Sequence, residues 1–248
     1  MPPSFRPDTE RVMVFLEALR ATLVRSGMLV AVCSLAAWPM AEGIVRYLAR
    51  GISAQLVAFG LPEAFFAFMA LSLATGLFAA APYLLYTVFW PLPDLFPGLN
   101  RRQAAVLWLI ATLLFYAGAL FCLGITLPYG IDFLLGYQDD TVAALISVRR
   151  FVSFCSLLVF GFAAAFELPL AMMVLGRIGL LDVRRLAAGR RYAILAVTVA
   201  AAILTPTPDI FNLCLMAVPL YLLFELGLVG MRLFKAPVAE PRADTLAG

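Results

Sequence analysis

The chain has 248 residues, 64% of them hydrophobic and only 13% charged, with a net charge of +3. Because water-soluble domains usually carry about 25% charged residues, this composition predicts a protein whose exterior faces lipid. The absence of histidine excludes His-based zinc and haem sites and nucleophile pairs that depend on a histidine. We expect no catalytic residues, no metal and no cofactor. The chain has no basic stretch with interleaved aromatic residues, so we do not expect nucleic acid as a partner.

Apolar runs with few charges predict a single membrane domain, 21–231, because a span needs roughly 20 apolar residues. In chain order the six predicted spans are 21–41, 64–90, 103–127, 151–176, 192–205 and 210–231. A cytoplasmic segment, 1–20, precedes them, and a disordered cytoplasmic tail, 232–248, follows. The fifth span reaches only about 21 Å at 1.5 Å per residue. Either the bilayer thins there or the helix extends beyond the run.

Basic residues set the predicted orientation. With both termini inside, only four of the 18 Lys and Arg residues fall in outer segments: Arg46, Arg50, Arg149 and Arg150. This bias predicts cytoplasmic N- and C-termini. The outer segments 42–63 and 128–150 mix charged and apolar residues at helical spacing, which predicts short amphipathic helices on the membrane surface.

The stretch GFAAAFELPLAMMVLG, 161–176, places Glu167 and Pro169 in the middle of the fourth span. A charge near the bilayer centre costs about 2.5–3.5 kcal/mol on insertion scales, so something must offset it. A protonated carboxyl bonded to a neighbouring hydroxyl or carbonyl is one interpretation. A functional polar group in a cavity or at a docking face is the other, which we favour. Pro169 has no N–H for the carbonyl of Ala165, so we expect a bent helix with a polar patch.

Two further polar features lie near the end of the chain. Glu225 is closer to the inner end of its span, where snorkelling or local pairing explains it. The stretch TPTPD joins the last two spans, and its prolines predict a rigid outer turn. The turn residues that we single out are Thr205, Pro206, Pro208 and Asp209. Asp209 is placed to cap the last helix.

From about residue 12 to 231 the sequence resembles TatC, the large polytopic subunit of the twin-arginine protein translocase. GFAAAFELPLAM looks like that family's fourth-helix motif, and RRYAILAVTVAAAILTPTPDIFN resembles its fifth helix and outer turn. AVPLYLLFELG, which contains Pro219 and Glu225, is similar to the sixth-helix signature. AAPYLLYTVFW followed by PGL, and GALFCLGITLP, resemble the second helix with the first loop and the third helix. Their order and spacing make the resemblance specific.

The resemblance implies an all-α integral membrane protein of the cell inner (plasma) membrane, with six transmembrane helices in a concave, glove-like arrangement. It implies a signal-peptide receptor and scaffold that exports folded proteins using the proton gradient. The implied partners are TatA/TatB-type single-span subunits, twin-arginine signal peptides of folded cargo, lipid and further copies of the chain. Phe166, Glu167 and Pro169 would then dock a partner helix.

The motifs that read the signal peptide depart from the family pattern. In FLEALR, Phe15 and Ala18 stand where the family has His and Glu. In PGLNRRQ, Asn100 or Gln103 stands in place of the family's loop Glu. We expect the cytoplasmic signal-peptide site to use Glu10, Glu17, Arg20, Asp94, Pro97, Gly98, Leu99 and Gln103.

Two alternatives remain beside the receptor. The altered motifs fit a divergent paralogue with changed or lost signal recognition. Glu167 on a bent helix also fits a small proton-coupled transporter, although the chain lacks the internal repeats typical of many transporters.

Overall fold

The structure, a computed structural model, describes residues 9–49, 55–95, 99–135, 145–177, 179–204 and 210–233. Most of these residues are helical, as lipid requires, because a helix satisfies its backbone polar groups internally. Within these ranges, five segments are long and apolar enough to cross a membrane: Arg20–Leu48, Pro62–Asp94, Arg101–Ile131, Val148–Arg177 and Leu213–Leu233. The predicted disordered tail lies outside the described residues from 234 onward. The chain divides into two compact units, Met1–Ala163 and Ala164–Gly248.

The first unit is built from long helices joined by short irregular elements. Its elements are α1 (Thr9–Ala37), α2 (Ala41–Leu48), β1 (Gln55–Val57), α3 (Leu61–Phe89), α4 (Leu92–Leu95), α5 (Arg101–Phe121), α6 (Leu127–Leu135), β2 (Leu145–Ser147) and most of α7 (Val148–Phe166). A 3₁₀ turn joins α1 to α2, and a π-helical turn, Cys122–Thr126, joins α5 to α6. Helix α1 begins within the predicted cytoplasmic segment.

The predicted outer segments contain the short helices α2 and α6, and also a strand pair that was not predicted. Strands β1 and β2 run parallel, with Leu56 opposite Ile146. Glu63, in the first turn of α3, accepts hydrogen bonds from the Ser147 hydroxyl and from the N–H of Phe59, the latter at 2.7 Å. These bonds tie the start of α3 to the end of β2.

A proline inside α3 determines how α3 bonds to α5. Pro82 has no N–H for the carbonyl of Phe78, which lies four residues earlier. The Tyr116 hydroxyl of α5 donates to that carbonyl at 3.0 Å. About two turns earlier on α5, Trp108 Nε1 donates to the Pro82 carbonyl at 2.7 Å. The helix interruption is therefore met by side chains of the neighbouring helix.

The second unit contains the end of α7 and four more helices. These are α8 (Leu168–Arg177), α9 (Val183–Ala188), α10 (Arg190–Leu204) and α11 (Ile210–Leu233). Helix α10 has 15 residues and a length of about 22 Å, and it begins before the predicted fifth span. Helices α8 and α11 pack through Met172, Phe224, Leu228 and Met231, all buried.

Candidate functional site

Glu167 lies at a break between two helices inside a membrane-spanning segment. Helix α7 ends at Phe166 and α8 begins at Leu168. The Glu167 N–H donates to the Ala164 carbonyl at 3.1 Å, and its carbonyl accepts from the N–H of Ala171 at 2.8 Å. The break is the physical consequence of Pro169, whose ring and missing N–H prevent a regular α-helical turn at this point.

The carboxyl group at this break is short of hydrogen bonds. Glu167 Oε1 is buried and has no hydrogen-bond partner among the residues that the structure describes. A buried polar atom in that state costs free energy, because it has lost water without gaining a protein donor or acceptor. A hydrogen bond between a protonated carboxyl and a neighbouring hydroxyl or carbonyl was one of the two interpretations of the sequence. No such bond is seen for Oε1 among the described residues.

Helix α11 packs closely against the break because glycines face it. A Cβ built at Gly227 would lie 3.2 Å from the Pro169 Cα and closer still to the Met172 sulfur. Gly230 faces Met173 in the same way. Small residues allow membrane helices to approach closely, so these glycines bring α11 against the first turn of α8.

Glu225 of α11 is fully paired. Arg190, the first residue of α10, donates through Nε to Oε1 at 2.7 Å and through Nη2 to Oε2 at 2.9 Å. The Tyr221 hydroxyl donates to Oε1 at 2.8 Å. The hydrogen bonds that Arg190 donates to Glu225, together with the negative charge of that carboxylate, raise the pKa of Arg190 above its usual range. The carboxylate therefore joins α10 to α11, the local pairing named above as an alternative.

The connection between α3 and α5 holds a second ion pair. Arg101 Nη2 lies 2.8 Å from Asp94 Oδ1 and 2.9 Å from Oδ2. The same guanidinium donates to the Trp90 carbonyl at 3.2 Å and lies 5.1 Å from the centroid of the Trp90 ring. Gln103 accepts from the N–H of Asn100 at 3.2 Å, in a capping box that starts α5.

The predicted site residues that the structure describes belong to several elements. Phe166, Glu167 and Pro169 are neighbours at the helix break, and Pro219 and Glu225 share α11. Asp94, Leu99 and Gln103 belong to the α3–α5 connection, whereas Glu10, Glu17 and Arg20 belong to α1. Pro97, Gly98, Thr205, Pro206, Pro208 and Asp209 lie outside the described residues.

Four contributors were not predicted. Trp90 and Arg101 complete the group around Asp94, and Arg190 and Tyr221 complete the group around Glu225. All four lie in stretches quoted in the comparison with the family, but the contacts that join them to the acids depend on how the chain turns and packs.

These features define a multi-pass helical membrane protein with an acid at a proline break inside one span. A family model described as Sec-independent protein translocase protein (TatC) matches residues 14–219. The chain therefore belongs to the TatC family and is a component of the Sec-independent, or twin-arginine, protein translocase. This family membership implies a Tat complex with other Tat subunits. The predicted family, all-α membrane fold and multi-pass location in the cell inner membrane are confirmed.

Relatives and solved structures resemble nearly the full chain. The TatC protein of Desulforapulum autotrophicum is 36% identical over 228 residues, covering 88% of this chain and 83% of that protein. The TatC protein of Azotobacter chroococcum is 34% identical over 234 residues, covering 90% of each. A crystal structure of the twin arginine translocase receptor TatC in DDM superposes with a TM-score of 0.78 at 31% identity. The superposed region covers 89% of this chain and 99% of the chain in that crystal structure.

Proposed function

We propose that this chain is the signal-peptide receptor and scaffold of its translocase. It binds twin-arginine signal peptides of folded cargo at the cytoplasmic face and gathers TatA/TatB-type single-span subunits within the membrane. The proton gradient drives transport, and the chain itself performs no catalysis and needs no cofactor. A solved structure of similar fold that is itself described as a receptor supports this role.

The observation that carries the scaffold role is the Glu167 carboxyl group, whose Oε1 has no hydrogen-bond partner among the described residues while the residue as a whole is only partly buried. By rotating toward its accessible side, this carboxyl group would be stabilised by a hydrogen bond from a polar side chain of another helix. The transmembrane helix of a single-span subunit that carries one polar residue at this depth fits this requirement. The helix break adds to the polarity of the patch, since Pro169 has no N–H for the Ala165 carbonyl.

The scaffold role is tested by replacing Glu167 with Ala and measuring copurification of the single-span subunits from native membranes. Membrane hydrogen bonds of about 0.6 to 1.7 kcal/mol correspond to a loss of association of about three- to eighteenfold. Ser156→Ala is the matched control, because Ser156 Oγ is likewise buried without a hydrogen-bond partner among the described residues. Unchanged association for a folded Glu167→Ala variant would refute the docking role, and an equal loss for Ser156→Ala would show a nonspecific effect.

A second candidate, a family member with altered signal recognition, is favoured by the α3–α5 connection. Asp94 is paired with Arg101, and Gln103 caps the start of α5. Both predicted signal-binding side chains thus have partners within the chain. Changing Ala18 and Gln103 to Glu should then raise the affinity for a twin-arginine peptide, and unchanged affinity would count against this candidate.

A further inference from the structure

The guanidinium of Arg101 occupies a complete arginine-binding site. Asp94 supplies both carboxylate oxygens, at 2.8 and 2.9 Å, and Trp90 supplies its carbonyl at 3.2 Å. The Trp90 ring adds an aromatic face 5.1 Å from the guanidinium carbon. This site is complementary to an arginine side chain. The carboxylate oxygens match its charge, the carbonyl accepts from a second donor, and the aromatic face matches its planar shape.

Local backbone structure holds the groups that bind the guanidinium. Trp90 directly follows α3, with its N–H donating to the Tyr86 carbonyl at 2.9 Å. Asp94 lies in the short helix α4, with its N–H donating to the Pro91 carbonyl at 3.1 Å. The acceptors and the aromatic ring thus come from one short stretch, and Arg101 enters from the first turn of α5.

The site is open to solvent. The side chains of Arg101 and Asp94 are 51% and 62% exposed. Exposed ion pairs are weak, so water and other cations compete for each partner. A second guanidinium can therefore replace Arg101 without uncovering a buried charge.

We propose that Arg101 is an internal stand-in for an arginine of the signal peptide, which displaces Arg101 from Asp94 and Trp90. The inference rests on the proposed receptor function and adds Trp90 to the residues that recognise the peptide. An exchange of one guanidinium for another preserves the paired bonds and the aromatic contact. In Arg101, Nη2 reaches both Asp94 oxygens while Nη1 reaches the Trp90 carbonyl, so a lysine ammonium, with a single nitrogen and no planar face, reproduces only part of this set of contacts.

The internal arginine also tunes affinity. While Arg101 occupies the site, only a fraction of the protein is competent to bind, and the apparent dissociation constant rises by the inverse of that fraction. Because Arg101 is tethered nearby, a free arginine competes poorly, and a peptide with further contacts on the cytoplasmic face competes well. The arrangement thus selects an arginine presented by the correct segment.

The test compares Arg101→Gln with Arg102→Gln in the full-length protein in lipid nanodiscs. Both variants remove one positive charge from the first turn of α5, but only the first vacates the site. We expect Arg101→Gln to bind a fluorescent twin-arginine signal peptide about three- to tenfold more tightly than Arg102→Gln. The twin-lysine peptide should show a clearly smaller difference, and adding Asp94→Asn to Arg101→Gln should abolish the gain.

The outcomes separate this inference from the receptor function. Equal affinities for the two Gln variants, in a protein that still prefers arginine over lysine, would overturn the stand-in role and leave the receptor intact. Weaker binding by Arg101→Gln would also overturn it, because Arg101 would then assist the peptide. No binding by any folded variant would overturn the receptor function and this inference together. Circular dichroism of each variant establishes folding.

Discussion

Replacing Tyr116 with Phe tests how a proline is accommodated inside the membrane. The Tyr116 hydroxyl is the donor seen at the Phe78 carbonyl, which Pro82 cannot serve. Interhelical hydrogen bonds in membranes average about 0.6 kcal/mol and reach about 1.7 kcal/mol. The change leaves a carbonyl without its donor in an apolar span, which sets the cost toward the upper end. We expect Tyr116→Phe to lower the free energy of unfolding by about 1–1.5 kcal/mol.

A double-mutant cycle isolates this effect. Pro82→Ala supplies an N–H that can serve the Phe78 carbonyl within α3, so the Tyr116 hydroxyl becomes dispensable. In that background, Tyr116→Phe should cost less than about 0.5 kcal/mol, which gives a coupling of about 1 kcal/mol. Tyr129→Phe is the matched control, because Tyr129 is 60% exposed, and it should change stability by less than about 0.5 kcal/mol.

The assay is reversible unfolding of the purified protein by SDS in mixed micelles, followed by circular dichroism. The free energy of unfolding is compared for the wild type, the two single variants and the double variant. If Tyr116→Phe costs the same with and without Pro82, the hydroxyl does not compensate for the proline. A cost no larger than that of Tyr129→Phe would refute the reasoning as well.

Two further predictions concern the second unit. Gly227→Ala should lower the free energy of unfolding by about 1 kcal/mol in the same assay, because crowding at the Pro169 Cα outweighs a gain in helix propensity. Gly27→Ala, with nothing within 4 Å of the new Cβ, should not be destabilising, and equal stability of the two variants would contradict this packing. Arg190→Glu should speed proteolysis near the start of α10, and adding Glu225→Arg should slow it again. No recovery in the reversed pair would show that this ion pair does not join the helices.

The sequence predicted the helical membrane fold because lipid allows few alternatives for a long apolar run. A backbone in hydrocarbon must satisfy its own hydrogen bonds, so composition alone indicates helices. The pairing of β1 with β2 was not predictable, since three residues are too few to show alternating polarity. The bond from Tyr116 to Phe78 was equally hidden, because it depends on how α3 and α5 pack.

The candidate site was predicted where a charge interrupts an apolar run. Glu167 and Glu225 stand out for that reason, and Pro169 marks the helix break. The partners of these acids are set by helix packing, so Arg190 was missed. Gln103 was predicted to bind the signal peptide, a role that stays a prediction. Its capping bond to Asn100 was readable from the Asn-x-x-Gln spacing.

Photo-crosslinking from the α3–α5 connection tests the receptor function most directly. A crosslinking amino acid at Leu99, which lies between Asp94 and Gln103, is exposed in native membranes to a twin-arginine signal peptide and to its twin-lysine variant. We expect a strong crosslink to the arginine peptide and a much weaker one to the lysine peptide. Equal or absent crosslinks in a folded protein would contradict the receptor function.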